Sequence, residues 1–252
     1  MIELFINNPN LPTSKVKCVI VDHNAPQSLL DYLNKNNIDY IKSCYIKNSI
    51  EAVSTHPDMQ ICHLGSEKFV AEPTIYQYYK KQLDLYGVNV SKGKSSVACN
   101  YPQDISYNVV ITNNFMLHNV KYTDKAILDY AGYTNISIYN VKQGYTKCAT
   151  CVIDENAIIT SDEGIYKICA QNSIDCLLIV KDIIKLGDRN DGFIGGCCGM
   201  IDYKTLLFCG DISAHKSYKA IMDFAEKYGV KILSSSKEML TDVGSIIPVV
   251  QE

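Results

Sequence analysis

The sequence predicts a five-bladed α/β propeller, five like units around an axis with the ring closed by pairing of the two ends of the chain. Three observations carry this. First, a short apolar strand, a turn and a second strand recur five times, anchored at Asp58, Asn108, Thr150, Cys197 and Asp242. The steps are about 50, 42, 47 and 45 residues, a period that signals a stacked or closed array. Second, the first four copies continue into a helix-like run and a further strand. Third, the fifth copy is split: only DVGSIIPVV follows from Asp242, and the missing parts stand at the other end of the chain.

That other end reads as a strand over 16–22 (VKCVIVD), a helix over 25–36 and a strand over 39–45. The first full copy is DMQICHLGSEKFVAEP from Asp58, a helical run over 75–85 and the strand Gly87-Val-Asn-Val. The second is NVVITNNFMLHN from Asn108, a helix over 123–131 and Ile136-Ser-Ile-Tyr. The third is TCVIDENAIITSD from Thr150, a helix over 163–172 and a strand over 175–180. The fourth is CCGMIDYKTLLFCGD from Cys197, a helix over 217–229 and Val230-Lys-Ile-Leu. The pairs Gly65-Ser66, Asn113-Asn114, Glu155-Asn156 and Asp202-Tyr203 fall where hairpin turns are needed, mostly with residues that favour them. A doubly wound sheet would also alternate strands and helices, but its strands would be mainly parallel, and these hairpins disfavour it. Joining the C-terminal strand to the N-terminal segment removes the open sheet edges.

Composition narrows the function. With 252 residues, 47% of them hydrophobic, the chain can bury a sizeable core, and one ring-shaped domain over 1–252 accounts for its length. A net charge of −3 with interspersed signs leaves no basic footprint for nucleic acid. No apolar run reaches the ~20 residues of a membrane span, and the opening MIELFINNPN does not read as a leader. Eleven cysteines, an odd number set inside strands and helices, read as reduced thiols in a cytoplasm. Lys92-Gly-Lys-Ser-Ser superficially resembles a phosphate loop but lacks the upstream glycine, Val88 standing in its place. No cofactor is expected.

In such a ring the starts of the first strands converge on the axis. The segments there are His56-Pro-Asp58, Gly144-Tyr-Thr-Lys-Cys148-Ala-Thr-Cys151, Gly192-Phe-Ile-Gly-Gly-Cys197-Cys198 and Thr241-Asp242-Val-Gly-Ser245. They are rich in His, Asp, Cys and Gly, unlike the strand bodies. His56-Pro-Asp58, followed by a strand and a hairpin, resembles the His-x-Asp motif of the guanidine-modifying (pentein) superfamily, which includes arginine deiminases, dimethylargininases and amidinotransferases. The segment around Cys148 resembles the stretch bearing that superfamily's nucleophilic cysteine, and Gly195-Gly196 its Gly-Gly pair. The pattern covers nearly the whole chain and looks most like a bacterial branch of the fold.

The resemblance implies a small-molecule site at the axis for a guanidino or amine compound. Cys148, His56 and Asp58 are its catalytic candidates, and Asp242, Ser245, Asn108 and Cys197 its substrate-binding candidates. Carboxylates suit a planar cation through bidentate hydrogen bonds. A thiol attacks the central carbon once its proton is lost, and His56 would serve as acid and base. A homodimer is compatible with the sequence, which does not fix the oligomeric state, and neither nucleic acid nor membrane is expected as a partner. The departures keep a rival reading open. The superfamily's enzymes carry the nucleophile near the C-terminus, where this chain has Ser245 and no Cys, and their acidic clamping motifs have no clear copy. A non-catalytic ligand- or protein-binding module on the same fold is the alternative. Cys148 and Cys151, read as three apart in one strand, face opposite sides and do not suit joint metal ligation.

Overall fold

The computed structural model describes residues 4–47 and 49–252; Met1 to Glu3, at the start of the segment read as carrying no leader, lie outside them. Among the described residues, fifteen strands form five three-stranded sheets. In chain order the described elements are β1 (Val16–Val21), α1 (Gln27–Lys35), β2 (Asp39–Lys42), β3 (Ile61–Gly65), β4 (Lys68–Ala71), α2 (Tyr76–Asp84) and β5 (Asn89–Lys92). Then come β6 (Val110–Ile111), β7 (Phe115–His118), α3 (Lys125–Tyr133), β8 (Ser137–Asn140), the short α4 (Thr146–Ala149), β9 (Thr150–Asp154), β10 (Ala157–Thr160), α5 (Glu163–Gln171) and β11 (Asp175–Leu178). Last are β12 (Cys198–Asp202), β13 (Thr205–Phe208), α6 (Tyr218–Lys227), β14 (Lys231–Ser234) and β15 (Ile247–Gln251).

Each sheet has one plan. A middle strand pairs antiparallel with the first strand and, after a crossover helix, parallel with the third. The split unit obeys it too, since β1 pairs antiparallel with β15 and parallel with β2. This is the five-bladed α/β propeller of the pentein fold, closed by the two ends of the chain. Two hairpins sit one residue later than the sequence placed them: the loops are Ser66-Glu67 and Tyr203-Lys204, with Ser66 and Lys204 at positive φ.

The helices repeat one anchoring rule. Leu29/Leu33, Tyr79/Leu83, Ile127/Ala131, Ile165/Cys169 and Ile221/Ala225 are buried pairs four apart, so each helix turns one stripe onto its sheet. Each of the five crossover helices also stops the same way. Asn37, Gly87, Asn135, Ser173 and Gly229 have positive φ, and the next residue's N–H bonds back to the second member of the buried pair, as Ile38 to Leu33 and Val230 to Ala225. That left-handed cap satisfies carbonyls the helix end would orphan. Among the described residues, five apolar clusters each fill the seam between two neighbouring sheets, the two seams beside the closing sheet included.

The Lys92–Ser95 turn does cradle a carboxylate, but the chain's own: the N–H groups of Lys94 and Ser95 donate to Asp124 Oδ2 at 2.7 and 2.6 Å. Among the described residues no helix is long and apolar enough to cross a membrane.

Candidate functional site

The site grows from the short segments that precede each first strand. Pro57 opens a single 3-10 turn over Pro57–Met59; His56 before it is held extended, as a residue ahead of proline must be. The turn aims Asp58 at the axis, and the Asp58 N–H donates to Gly244 O at 3.2 Å. Gly244 has φ +62°, and a Cβ there would fall 2.4 Å from His56 Cβ, so a bare backbone lets the closing segment lie against His56. Ser245 follows, also at positive φ.

Cys148 sits in α4, a single helical turn rather than the strand that the sequence suggested. Asn108, at the start of the neighbouring blade, builds that turn. Its Oδ1 accepts from the N–H groups of Lys147 (2.8 Å) and Cys148 (3.2 Å), and its carbonyl accepts from Thr146 Oγ1 at 2.6 Å. Its Nδ2 then donates to Cys148 Sγ at 3.1 Å. Asn108 therefore positions the thiol. Cys151, in β9, turns to the opposite side, into the seam with Cys197 and Cys198.

Cys148 Sγ donates to Asp58 Oδ2 at 3.0 Å. The same oxygen accepts from Ser245 Oγ at 2.8 Å, and Ser245 in turn accepts from Lys147 Nζ at 3.1 Å. His56 stands between two further acids, Nε2 at 3.8 Å from Asp22 Oδ2 and Nδ1 at 3.8 Å from Asp242 Oδ1. Asp242 accepts from the N–H groups of Phe193 (2.8 Å) and Gly244 (3.0 Å). A Cβ on Gly196 would fall 1.9 Å from Asp242 Oδ1, so Gly196 makes room for this carboxylate, while Gly195 lets the chain lie against the backbone of Lys147 and Thr150. Cys148, Asp58, Asp242, His56 and Ser245 are all at most 4% exposed.

Burial pushes the Cys148 thiol well above its ordinary value, and the charges of Asp58 and Asp242 push it further. Burial raises Asp242 to about 6, with Asp58 adding to the rise and His56 opposing it. The site thus sets Asp58 and Asp242 about the Cys148 thiol and Asp22 beside His56, with His56, the buried Lys147 and, at the cavity wall, Lys185 and Arg189 as the nearby basic groups; Asp58 Oδ1 and His56 Nδ1 have no hydrogen-bond partner among the described residues.

Two cavities meet here. One of about 540 Å³ exposes Asp22, Thr55, His56 and Asp242; one of about 220 Å³ reaches Tyr145, Cys148, Phe193 and Asp242. Leu186 and Arg189 border both. They belong to a tight turn in which Leu186 and Arg189 exchange backbone hydrogen bonds of 2.9 Å, and Leu186 packs on Val53 and Met59 as a cover over the axis. Arg189 is ion-paired to Asp191.

Of the sequence candidates, Cys148, His56, Asp58, Asp242, Ser245 and Asn108 come together. Cys197 does not reach the cavities; it is completely buried in a seam with its thiol on Phe193 O at 3.2 Å. Asp22, the cover turn and Tyr145 were not singled out. Asp22 carried a signal, an acid ending an apolar strand, but nothing in the sequence placed residues 184–191 over the axis.

A protein-family model described as "Family of unknown function (DUF6873)" matches residues 20–247. The chain belongs to that family. No curated protein matches it. Solved structures resemble this family member in fold across almost the whole chain. An amidinotransferase of the saxitoxin biosynthetic pathway from Microseira wollei is 11% identical, with 92% of this chain and 91% of that one covered and a TM-score of 0.54. The inosamine-phosphate amidinotransferase of Streptomyces griseus is 11% identical over 95% of both chains, with a TM-score of 0.56. Agmatine deiminase of C. jejuni, with substrate bound, is 9% identical, with 98% and 97% covered and a TM-score of 0.57.

Proposed function

We propose that the axial site binds a guanidinium or amidinium compound and that Cys148 attacks its central carbon. The observation that carries this is the buried S–H of Cys148 on Asp58, with Asp242 and Asp22 flanking His56 close by. A planar cation would face these carboxylates and offer N–H donors to Asp58 Oδ1, which has no hydrogen-bond partner among the described residues. Its charge also favours the thiolate that the empty site disfavours, so the nucleophile becomes active only when the substrate is in place.

The steps balance. The thiol proton passes to Asp58 and the S–C bond forms. The C–N bond to the leaving amine breaks as His56 protonates that nitrogen, and an amidino group remains on sulfur. Water in a hydrolase, or a second amine in an amidinotransferase, then adds to the amidino carbon as His56 takes a proton from it, the S–C bond breaks, and the departing sulfur regains the proton held by Asp58. The architectures of the two amidinotransferases and the deiminase support a small guanidino substrate. The 2% exposure of Cys148 and its raised pKa favour the rival, a site that binds such a cation without turnover.

A haloacetamidine, cationic and small, tests the reading against the neutral haloacetamide of the same size. The expected result is a single adduct on Cys148 with the amidine and little with the amide, and loss of the adduct and of any turnover in a folded Cys148→Ala protein. Equal labelling by both reagents, or turnover retained without the thiol, refutes it.

A further inference from the structure

The same pocket presents a donor set that suits a metal ion. Cys148 Sγ, a ring nitrogen of His56 and a carboxylate oxygen of Asp242 lie within 4.8 Å of one another, all three residues buried. Around tetrahedral zinc, ligand atoms bonded at roughly 2.0–2.3 Å stand about 3.3–3.8 Å apart. His56 Nδ1 and Asp242 Oδ1 are already 3.8 Å apart, so closure asks for movements of about 1 Å or less. Two independent features point the same way. His56 Nδ1 is buried, faces the cluster and has no hydrogen-bond partner among the described residues. The outer contacts are those that orient metal ligands: Asp22 faces the other His56 nitrogen, and two backbone N–H groups hold Asp242.

The donor types select the ion. Sulfur and imidazole with one carboxylate suit a borderline-soft divalent cation and not magnesium or calcium, which take oxygen. A thiolate and a carboxylate cancel a charge of +2. We propose that the axial pocket binds one zinc-class divalent ion through Cys148, His56 and Asp242. Binding releases the thiol proton to solvent and forms an S–metal bond with no change of oxidation state. A corollary rests on the function proposed above: the ion caps the nucleophile, so metal and cationic ligand exclude each other.

The test uses the full chain, carrying Cys99→Ser to remove the exposed thiol, stripped of metal with a chelator. It is titrated with zinc by calorimetry and with cobalt(II) by absorption. One equivalent is expected, with a thiolate-to-cobalt charge-transfer band. Cys148→Ser should abolish the band, and Asp242→Asn and His56→Gln should each weaken zinc binding at least about tenfold. Urea unfolding curves establish that each variant is folded; if His56→Gln is not, the cobalt band in the other two variants decides. Absence of binding, or a band and affinity unchanged by Cys148→Ser, overturns the proposal. Zinc should also block haloacetamidine labelling. If the metal-free protein is not labelled at all, the guanidinium reading fails while the cobalt spectrum still decides the metal site.

Discussion

Replacing Asp242 by Asn should change how stability depends on pH, in a direction that reports the charge crowding at the axis. The folded chain holds this carboxyl at about 6 against an ordinary 3.8, chiefly through burial. Below 3.8 it is protonated in both states and contributes nothing adverse. As pH rises from 3.8 the unfolded chain ionises first, and the folded state loses ground until the folded carboxyl ionises near 6. The loss levels off at about 3 kcal/mol, the free energy of a difference of roughly two pH units. The wild type therefore carries this burden at neutral pH and sheds it on acidification.

The Asp242→Asn variant would carry a different cost. The amide's one oxygen cannot accept from both Phe193 N and Gly244 N, which Asp242 now serves, a loss of about 1–3 kcal/mol. That loss does not vary with pH, so the comparison of curves separates the two. Urea unfolding in chelator, from about pH 8 to about pH 3.5, is the assay; guanidinium is avoided because it would occupy the site. The wild type should gain about 3 kcal/mol on the variant across that range. Parallel curves would mean that Asp242 titrates normally, and the argument that the site awaits a cation would lose its support.

The buried His63 and His118 act in the opposite direction. Burial lowers both to about 4, so their contribution is whole above 6.5 and is lost as pH falls from 6.5 to 4, about 3 kcal/mol each; His118→Asn should flatten that part of the acid limb by this amount in the same urea series. Gly196→Ala should drive a methyl group into Asp242 Oδ1, where the space is 1.9 Å, and so cost about 1–3 kcal/mol of stability together with haloacetamidine labelling; normal labelling with an unchanged melting temperature would show that Gly196 is not needed to seat Asp242.

The fold was legible because its five units repeat a pattern that sequence expresses directly. Strand, turn, strand and helix alternate with few competing readings, and the split unit announces the closure between β15 and β1. A second signal of the same kind stands in the sequence: the helix-ending residues Asn37, Gly87, Asn135, Ser173 and Gly229, each followed by Ile or Val, mark the same left-handed cap five times. The site was legible in part for a related reason. The residues just ahead of each first strand had to meet at the axis, so His56, Asp58, Asn108, Cys148, Asp242 and Ser245 could be named without coordinates. Orientation could not. Whether Cys197 faces the axis or a seam depends on the 3-10 turn over Gly195–Cys197, which moves its side chain away from where a simple strand start would put it. The cover turn is a long-range packing event between Leu186, Val53 and Met59, and no local pattern records it.

The convergence also explains why this chemistry sits on a closed ring. Asp58, Asn108, Cys148, Ser245 and Asp22 come from segments far apart in sequence, and contacts between neighbouring blades hold them, Asn108 on the turn of Cys148 and Gly244 O on the N–H of Asp58. A thiol donating to one carboxylate, with two more acids nearby and little solvent, is an arrangement that a flexible loop would relax by turning a side chain outward to water. Here Asn108 clamps the turn of Cys148, backbone N–H groups clamp Asp242, and the 3-10 turn after Pro57 clamps Asp58. The five packed seams supply the stability that such an uncomfortable cluster consumes. A cation, whether a guanidinium or a metal ion, is the occupant that turns the same cluster from a burden into binding energy. Stability and affinity at the axis should therefore vary inversely: a substitution that relieves the aspartate crowding should raise the free-state stability and weaken the hold on any positive ligand together.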